Sequence, residues 1–274
     1  MRRSWSPFRF AGILTSSSEA VIQESPAPRS SSLILATDLD GTFAGGTVED
    51  RARLQSALRA LPGAALLYVT GRSIAATREL MEESGLPRPD LLIADVGTSV
   101  VGGSDFEPIE EVEAILDESW PGGEVIRKRL AELPGIEEQE VRSPRRVSYW
   151  LRDGNMDDVI TAMGARLEDL SVDLVGSAGV YLDVLPAGVN KGTTLRRVLG
   201  WLAREEADVV VAGDSLNDLA LMESGLCGIV VGNCEAGLLE RTRGLEHLYH
   251  AEGTGAAGIL EGLRHFGWVE IHAE

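Results

Sequence analysis

Two aspartates separated by one residue, Asp38 and Asp40, directly follow a short apolar run over residues 33–37 and precede a glycine. An apolar run of this length predicts a buried strand that ends in a loop. Two carboxylates in such a loop can converge on a cation, or one can attack as a nucleophile while the other moves protons. The alternative is a turn that does no more than end the strand.

A second acidic cluster, with Asp214 and Asp218, follows another apolar run over residues 209–212. Ligand sites in open α/β sheets lie at the carboxyl ends of the strands, so we expect the two clusters to meet there. Like charges repel unless a cation lies between them, and oxygen ligands suit Mg²⁺. The sequence therefore predicts a Mg²⁺ site. Taken alone, Asp218 also fits the first turn of a helix.

Two further stretches could bind an anion. Thr70, Gly71 and Arg72 follow an apolar run and precede a helical pattern, and a hydroxyl with backbone N–H groups at a helix N-terminus binds anions readily. Lys191 stands at the start of another helical pattern. Taken singly, each stretch also has an ordinary explanation, a helix cap for Thr70 and surface charge for Lys191.

The elements that must position these residues alternate between strands and helices. Strands are predicted over residues 33–37, 65–69, 91–95, 209–212 and 228–231, and helices over 48–61, 73–84, 191–204 and from 217 onward. Parallel neighbours in a sheet need crossover helices between them. The pattern therefore predicts an α/β fold, with a doubly wound, Rossmann-like parallel sheet formed by residues 33–104 and 189–274.

Residues 105–188 differ from this pattern and are predicted to form an inserted α+β cap. Helical stretches are expected near 107–118, 124–133 and 155–170, and strands over 145–152, 172–175 and 180–184, the last two joined by a glycine-containing turn. A hairpin and alternating hydrophobicity are typical of an antiparallel sheet with one exposed face. Trp150 and Arg152 share a face of the first strand, where they either contact a sugar phosphate or remain exposed.

Composition excludes several classes of function. The 274 residues include 25 Lys and Arg against 43 Asp and Glu, a formal net charge of −18, which argues against a nucleic-acid partner. No apolar run approaches the roughly 20 residues of a membrane span. Two cysteines are too few for a disulfide framework, so we expect a reduced, cytoplasmic environment. Residues 1–32 are expected to form a disordered extension, with a targeting peptide or a misassigned start codon as alternatives.

Four short segments, at residues 38–42, 70–72, 191–192 and 213–218, resemble in their order the four motifs of the haloacid dehalogenase (HAD) superfamily of phosphohydrolases. The insertion falls between the second and third motifs, where that superfamily carries its C2-type caps. Within the superfamily, the sequence is most similar to the sucrose-phosphate phosphatases, through residues 69–73, 89–93, 96–98 and 183–186.

This resemblance implies roles for the acidic residues. Asp38 would be the nucleophile that forms an aspartyl-phosphate, and Asp40 would be the general acid and then the general base. Mg²⁺ would be held by Asp38, the backbone carbonyl of Asp40 and Asp214, with Asp218 in a supporting contact.

The resemblance also implies a reaction and a substrate. Phosphate would be bound by Thr70, Gly71, Lys191 and Asn217, while Arg72, Trp150 and Arg152 would contact the rest of the substrate. The expected reaction is Mg²⁺-dependent hydrolysis of sucrose 6-phosphate, with a sucrose-phosphate synthase as a candidate partner. Alternatives are a phosphatase of mannosylfructose-phosphate or a glycosylglycerate-phosphate, a phosphomutase, and a non-catalytic sugar-phosphate-binding module.

Overall fold

The computed structural model describes residues 32–103, 105–141, 143–177 and 179–270. Within them the strands are β1 (Ile34–Thr37), β2 (Ala65–Val69), β3 (Leu91–Ala94), β4 (Ser99–Gly102), β5 (Glu107–Pro108), β6 (Ile136–Glu138), β7 (Val147–Leu151), β8 (Val172–Ser177), β9 (Tyr181–Pro186), β10 (Val209–Gly213), β11 (Cys227–Val230) and β12 (Leu248–His250). The helices are α1 (Val48–Ala60), α2 (Ile74–Ser84), α3 (Glu110–Asp117), α4 (Gly123–Leu130), α5 (Met156–Leu167), α6 (Lys191–Trp201), α7 (Leu219–Met222), α8 (Ala236–Thr242) and α9 (Ala256–His265). The predicted disordered extension, apart from Ser32, lies outside the described residues.

The larger sheet has the strand order β12-β11-β10-β1-β2-β3-β4-β5. The pairs from β12 to β3 are parallel, whereas β4 and β5 are antiparallel to their neighbours. Thr37, the last residue of β1, aligns with Ala212 on one side and Tyr68 on the other. The carboxyl ends of β10, β1 and β2 therefore lie side by side, which confirms the predicted doubly wound sheet.

Both faces of this sheet are buried, because successive side chains of a strand point to opposite faces. Leu35, Tyr68 and Val210 belong to one hydrophobic cluster, which also contains residues of α1 and α9. Ile34 and Val211 belong to the other, which contains residues of α3, α6 and α7. The strands can therefore be apolar throughout, and polar residues follow where each strand leaves the core.

The smaller sheet is antiparallel, with the order β6-β7-β9-β8. Val147 and Tyr149 of β7 pack with Ile126 of α4 and Met163 of α5 in a third hydrophobic cluster. The helices thus cover one face of the sheet, as the alternation in residues 145–152 predicts. This unit is the cap.

The structure places the start of the cap later than residue 105. β5 pairs with β4 in the larger sheet, and Val112 and Leu116 of α3 lie in a core cluster of that sheet. Residues 105–117 therefore belong to the core, and their assignment to the cap is corrected. An amphipathic helix shows that one face is buried, but its spacing does not say against which sheet. None of the helices in the described ranges is long and apolar enough to cross a membrane.

Candidate active site

A buried lysine joins the two acidic clusters. Lys191, the first residue of α6, is fully buried, and its Nζ lies 2.7 Å from Oδ1 of Asp38 and 2.6 Å from Oδ1 of Asp218. Nζ also donates to Oδ1 of Asn217 at 2.6 Å. Burial acts to lower the pKa of Lys191, but the two carboxylates outweigh it and raise that pKa. Lys191 is therefore a charged residue of the site and not a surface lysine.

Asp218 organises the loop that follows β10. Its Oδ2 accepts hydrogen bonds from the backbone N–H groups of Asp214 and Ser215, each at 3.1 Å, while Oδ1 accepts from Lys191. Gly213 permits this close packing, because a Cβ at that position would lie 2.6 Å from the Cβ of Asp218. Asp218 therefore fixes the position of Asp214 as well as facing Asp38.

Asp214 is held from the opposite side by the loop after β1. Thr42 Oγ1 donates to Oδ1 of Asp214 at 3.0 Å. Gly41 has a φ of +73°, and a Cβ on it would lie 2.1 Å from Oδ2 of Asp214. Residue 41 must therefore be glycine for two reasons, a left-handed backbone and the direct approach of a carboxylate.

These contacts bring three carboxylates together, as the strand order predicts. One oxygen from each of Asp38, Asp214 and Asp218 lies within 4.8 Å of the others. Burial raises the pKa of Asp38 to about 8, with Lys191 acting against the rise, and burial together with Asp218 raises the pKa of Asp214 to about 6. When all three carboxyl groups are ionised, they and the Lys191 ammonium leave two negative charges on a set of oxygen donors, which fits a hard divalent cation such as Mg²⁺.

Asp40 has different surroundings. Its carboxylate is exposed and accepts two hydrogen bonds from Arg72, from Nε at 2.6 Å and from Nη2 at 2.7 Å. The side chain of Asp40 is thus engaged outside the three-carboxylate cluster. The resemblance assigns the metal contact of Asp40 to its backbone carbonyl. The ion pair between the Asp40 side chain and Arg72 is therefore compatible with that expected contact.

The loop at residues 70–72, which contains the predicted anion-binding groups, lies beside Asn217 and the carboxylate cluster. Thr70 is fully buried, and its Oγ1 accepts a hydrogen bond from the backbone N–H of Arg72 at 3.1 Å. Ser73 caps α2 through a hydrogen bond from Ala76. A Cβ on Gly71 would lie 3.8 Å from Nδ2 of Asn217. Gly71 and Asn217 therefore approach each other beside the carboxylates.

A cavity of about 600 Å³ opens above these groups, between the core and the cap. On the core side it is lined by Asp38, Asp40, Gly41, Gly71, Arg72, Val96, Asp214, Ser215, Leu216, Asn217 and Glu235. On the cap side it is lined by Gln139, Arg146, Val175, Ser177, Tyr181 and Asp183. The composition of the cap wall, with an amide, hydroxyls and a carboxylate, suits a ligand rich in hydroxyl groups.

Trp150 and Arg152 lie on the predicted face but outside the residues that line this cavity. Trp150 packs on Tyr181 with ring centroids 4.9 Å apart, and the Arg152 guanidinium lies 5.3 Å from the Trp150 ring. Arg152 also pairs with Glu137 at 2.7 Å. Trp150 therefore supports Tyr181, which lines the cavity and which sequence reasoning missed.

Asp183 and Ser148 occupy the same face of the cap sheet nearer the core. Ser148 donates a hydrogen bond to Asp183, and the two residues are paired in register between β7 and β9. Burial raises the pKa of Asp183, with Arg146 acting against the rise. The alternation of β9 around the segment 183–186 could have identified Asp183 as a cavity residue, since it lies opposite Ser148.

Comparison with known proteins identifies the family. A family model described as sucrose-6F-phosphate phosphohydrolase matches residues 31–267. The chain belongs to this family. Its members are phosphoric monoester hydrolases of the HAD superfamily, and the core sheet with an inserted cap agrees with that fold.

The relatives differ in what they act on. A glucosylglycerol-phosphate synthase of Pseudomonas anguilliseptica is 40% identical over 86% of this chain and 31% of its own length. A mannosylfructose-phosphate phosphatase of Agrobacterium fabrum is 31% identical over 85% of this chain and 96% of its own. Sucrose-phosphatase 1 of Nicotiana tabacum is 30% identical over 73% of this chain. The chain spans about half the length of this last relative and about a third of the synthase.

A solved structure supports the same assignment. The sucrose-phosphatase of Synechocystis sp., determined with sucrose and phosphate bound, superposes with a TM-score of 0.78 at 29% identity, covering 86% of this chain and 98% of that one. The sugar phosphatase BT4131 of HAD subclass IIB superposes with a TM-score of 0.62 at 14% identity, covering 87% of this chain and 100% of that one. The second similarity extends to the fold alone.

Proposed function

We propose that this protein is a Mg²⁺-dependent phosphatase that hydrolyses the phosphate ester of a glycosylated sugar through an aspartyl-phosphate. The observation that carries the proposal is the meeting of Asp38 and Asp214, which line a cavity roofed by the cap, with the buried Asp218 and Lys191. Family membership supplies the reaction class, and this geometry supplies the groups that the reaction needs.

Asp38 is the nucleophile in this proposal. Lys191 binds its Oδ1, which leaves the second oxygen to attack phosphorus while the bond from phosphorus to the sugar oxygen breaks. Water then attacks the aspartyl-phosphate and releases inorganic phosphate. Bound Mg²⁺, held by Asp38, Asp214 and the backbone of Asp40, would offset the negative charge of the phosphoryl oxygens. Thr70, Gly71 and Asn217 orient the same oxygens, since phosphoryl transfer depends mainly on positioning and charge stabilisation. Lys191 joins them by exchanging one of its three protein partners, Asp38, Asn217 or Asp218, for a phosphoryl oxygen.

Asp40 moves the proton in this proposal. It protonates the leaving sugar oxygen in the first step and accepts a proton from the attacking water in the second. In this structure its carboxylate accepts two hydrogen bonds from Arg72. Asp40 must leave Arg72 to reach the sugar oxygen, and the substrate phosphate beside Gly71 is an anion that Arg72 can bind in its place.

The substrate we propose first is sucrose 6-phosphate. The family model and the sucrose-bound relative support this choice, and the cavity of about 600 Å³ has polar walls for a disaccharide. Tyr181 would contact the sugar directly, with Trp150 and Arg152 acting through it. A sucrose-phosphate synthase would supply the substrate.

A second candidate substrate is glucosylglycerol phosphate. The glucosylglycerol-phosphate synthase contains a segment that is 40% identical to this chain, whereas sucrose-phosphatase 1 is 30% identical. A phosphatase placed beside such a synthase would remove the phosphate from its product. Mannosylfructose-phosphate is supported at 31% identity.

The experiment is phosphate release from a panel of these three esters, with 5′-AMP as an unrelated phosphate monoester, in Mg²⁺ and in EDTA. We expect one glycosyl-sugar phosphate to give the highest kcat/KM and EDTA to abolish turnover. Asp38→Asn should lower kcat by about a thousandfold or more, because the nucleophile is lost. Asp157→Asn, an exposed helix residue in the cap, is the matched control and should be fully active. Undiminished release by Asp38→Asn would refute the mechanism, and transfer of phosphate to another sugar hydroxyl would indicate a mutase.

A further inference from the structure

The turn that follows β3 has a strained backbone. Asp95 and Val96 have φ values of +54° and +61°, in the left-handed region that non-glycine residues rarely adopt. Each such residue is strained relative to a right-handed conformation, because its Cβ approaches the following carbonyl oxygen. Both residues are buried, so the surrounding contacts must hold the turn in this form.

This turn contacts two elements that bind phosphate in the proposed function. The backbone N–H of Asp95 donates to the carbonyl of Arg72 at 2.8 Å, and that of Val96 donates to the carbonyl of Thr70 at 3.1 Å. On its other side, Gly97 accepts a hydrogen bond from Thr194 Oγ1 of α6 at 2.7 Å. The turn at residues 95–97 therefore connects the loop at 70–72 to the helix that begins with Lys191.

Arg146 reaches this junction from the cap. It directly precedes β7, its side chain is 9% exposed, and it lines the cavity. Its Nη1 donates to the carbonyl of Gly71 at 2.8 Å, and its Nη2 lies 2.8 Å from Oδ1 of Asp95. Burial raises the pKa of Asp95 to about 6, and Arg146 acts against that rise. One planar guanidinium thus joins the loop and the strained turn, a geometry that a lysine cannot reproduce.

The neighbouring Arg145 binds the same cap segment to a different part of the core. Its Nη1 donates to the carbonyl of Thr98 at 3.0 Å, and it forms ion pairs of 2.6 Å with Glu113 and Asp117. Arg145 is as buried as Arg146, but it is not among the residues that line the cavity. It therefore provides a matched control for a contact that only fastens the cap.

We propose that Arg146 is a positioning residue through which docking of the cap holds the loop at residues 70–72 in its phosphate-binding conformation. Its effect on catalysis rests on the proposed function, whereas its effect on the loop does not. When the cap moves away, Gly71 loses the donor to its carbonyl and Asp95 loses its cation in a buried site. The loop is then ordered only with the cap in place, so the site is complete only when the cavity is closed.

The loop is tested directly by hydrogen exchange of peptides that cover residues 66–76 and 91–99, in wild type, Arg146→Ala, Arg146→Lys and Arg145→Ala. We expect Arg146→Ala to accelerate exchange in both peptides by about tenfold or more, the equivalent of one charge-assisted hydrogen bond. Arg146→Lys, which keeps the positive charge but not the planar pair of donors, should show an intermediate acceleration. Arg145→Ala should leave residues 66–76 at the wild-type rate. Unchanged exchange of residues 66–76 in both Arg146 variants would overturn the proposal. An acceleration of residues 66–76 in Arg145→Ala equal to that in Arg146→Ala would also overturn it.

Kinetics test the consequence for catalysis. Because Arg146 acts on the loop that binds phosphate, kcat/KM for a sugar phosphate and for p-nitrophenyl phosphate should fall by the same factor, about tenfold or more, in Arg146→Ala. Loss confined to the sugar phosphate would show that Arg146 contacts the sugar instead, and would overturn the positioning role. If wild type releases phosphate from no ester while exchange responds as expected, the proposed function fails and the coupling of cap to loop stands.

Discussion

Replacing Gly41 by alanine should disable the site by displacing a single carboxylate. The added Cβ would lie 2.1 Å from Oδ2 and 2.9 Å from Cγ of Asp214, whereas ordinary van der Waals contact begins at 3.4 Å. The Asp214 side chain must therefore move by more than 1 Å from its present position. That movement also breaks its hydrogen bond from Thr42.

The effect of Gly41→Ala on stability has two parts. An alanine held at a φ of +73° costs about 1–2 kcal/mol, and the lost hydrogen bond adds about 1 kcal/mol. Gly85→Ala isolates the first part, because Gly85 has a φ of +61° and a Cβ there would meet nothing within 4 Å. We expect the free energy of unfolding to fall by about 1–2 kcal/mol in Gly85→Ala and by about 2–3 kcal/mol in Gly41→Ala, measured by urea denaturation.

The effect on function separates the two variants further. A misplacement of about 1 Å in a catalytic group can cost about a hundredfold in rate, so Gly41→Ala should lose that much phosphate release. Its affinity for Mg²⁺, measured by calorimetry, should fall by about tenfold or more, whereas Gly85→Ala should match wild type in both assays. If Gly41→Ala binds Mg²⁺ and turns over like Gly85→Ala, Asp214 does not hold the metal from the position described.

Two further predictions concern the metal and the cap. Because the pKa of Asp38 is raised to about 8 and that of Asp214 to about 6, Mg²⁺ must displace protons, and its affinity should fall by about tenfold per pH unit from pH 8 to pH 6. Carboxyl groups with raised pKa values stabilise the metal-free fold at low pH, and this contribution is lost as the pH rises through those values. Mg²⁺ should therefore raise Tm more at pH 8 than at pH 6. An equal rise of Tm at both pH values would contradict the assignment of Asp38 and Asp214 as metal ligands. Tyr181→Ala should raise KM for the preferred sugar phosphate by about tenfold and leave KM for p-nitrophenyl phosphate unchanged, because Tyr181 lines the cap side of the cavity. Trp150→Ala should show a smaller change of the same kind, since Trp150 packs behind Tyr181. Equal effects on both substrates would refute a sugar contact of Tyr181 and the supporting role of Trp150.

The floor of the site was accessible from sequence because it depends on strand order. Asp38 and Asp214 each follow a strand that is apolar on both faces, and parallel neighbours bring such positions to one edge of the sheet. No further information is needed to expect their approach. Lys191 was harder to interpret, since a lysine at a helix start is usually exposed, and its burial follows from the packing of α6 against the second cluster of the core.

The residues of the cap could be assigned to a face but not to a distance from the site. Alternation correctly placed Arg146, Ser148 and Trp150 on one side of β7, opposite the helices. Each pair of residues along a strand adds about 6.6 Å, so the positions on that face differ greatly in their reach into the cavity. Arg146 lines it, whereas Trp150 does not. The reach of each position is set by how the cap docks on the core, which is a tertiary property with no local signal in the sequence.

The contacts of Arg146 were inaccessible for a different reason. They require the cap to dock on a particular turn, and the φ values of Asp95 and Val96 are dictated by what surrounds them, not by their own preferences. The adjoining Gly97 gave a partial signal, because a Cβ there would lie 2.5 Å from the backbone of Asn190. A glycine after a strand indicates that another backbone segment approaches closely, but the sequence does not identify which segment it is.

The charge of the cavity determines the order in which ligands can enter. Of the residues that line it, five are acidic and two are basic, and both arginines are already paired, Arg72 with Asp40 and Arg146 with Asp95. A phosphate dianion that approaches this surface is repelled, as it is by the net charge of −18 on the whole chain. A divalent cation held by Asp38 and Asp214 would neutralise the net negative charge of the carboxylate cluster where the phosphate must bind. We therefore expect metal to bind before substrate, and raising Mg²⁺ should lower KM for the phosphate ester more than it raises kcat.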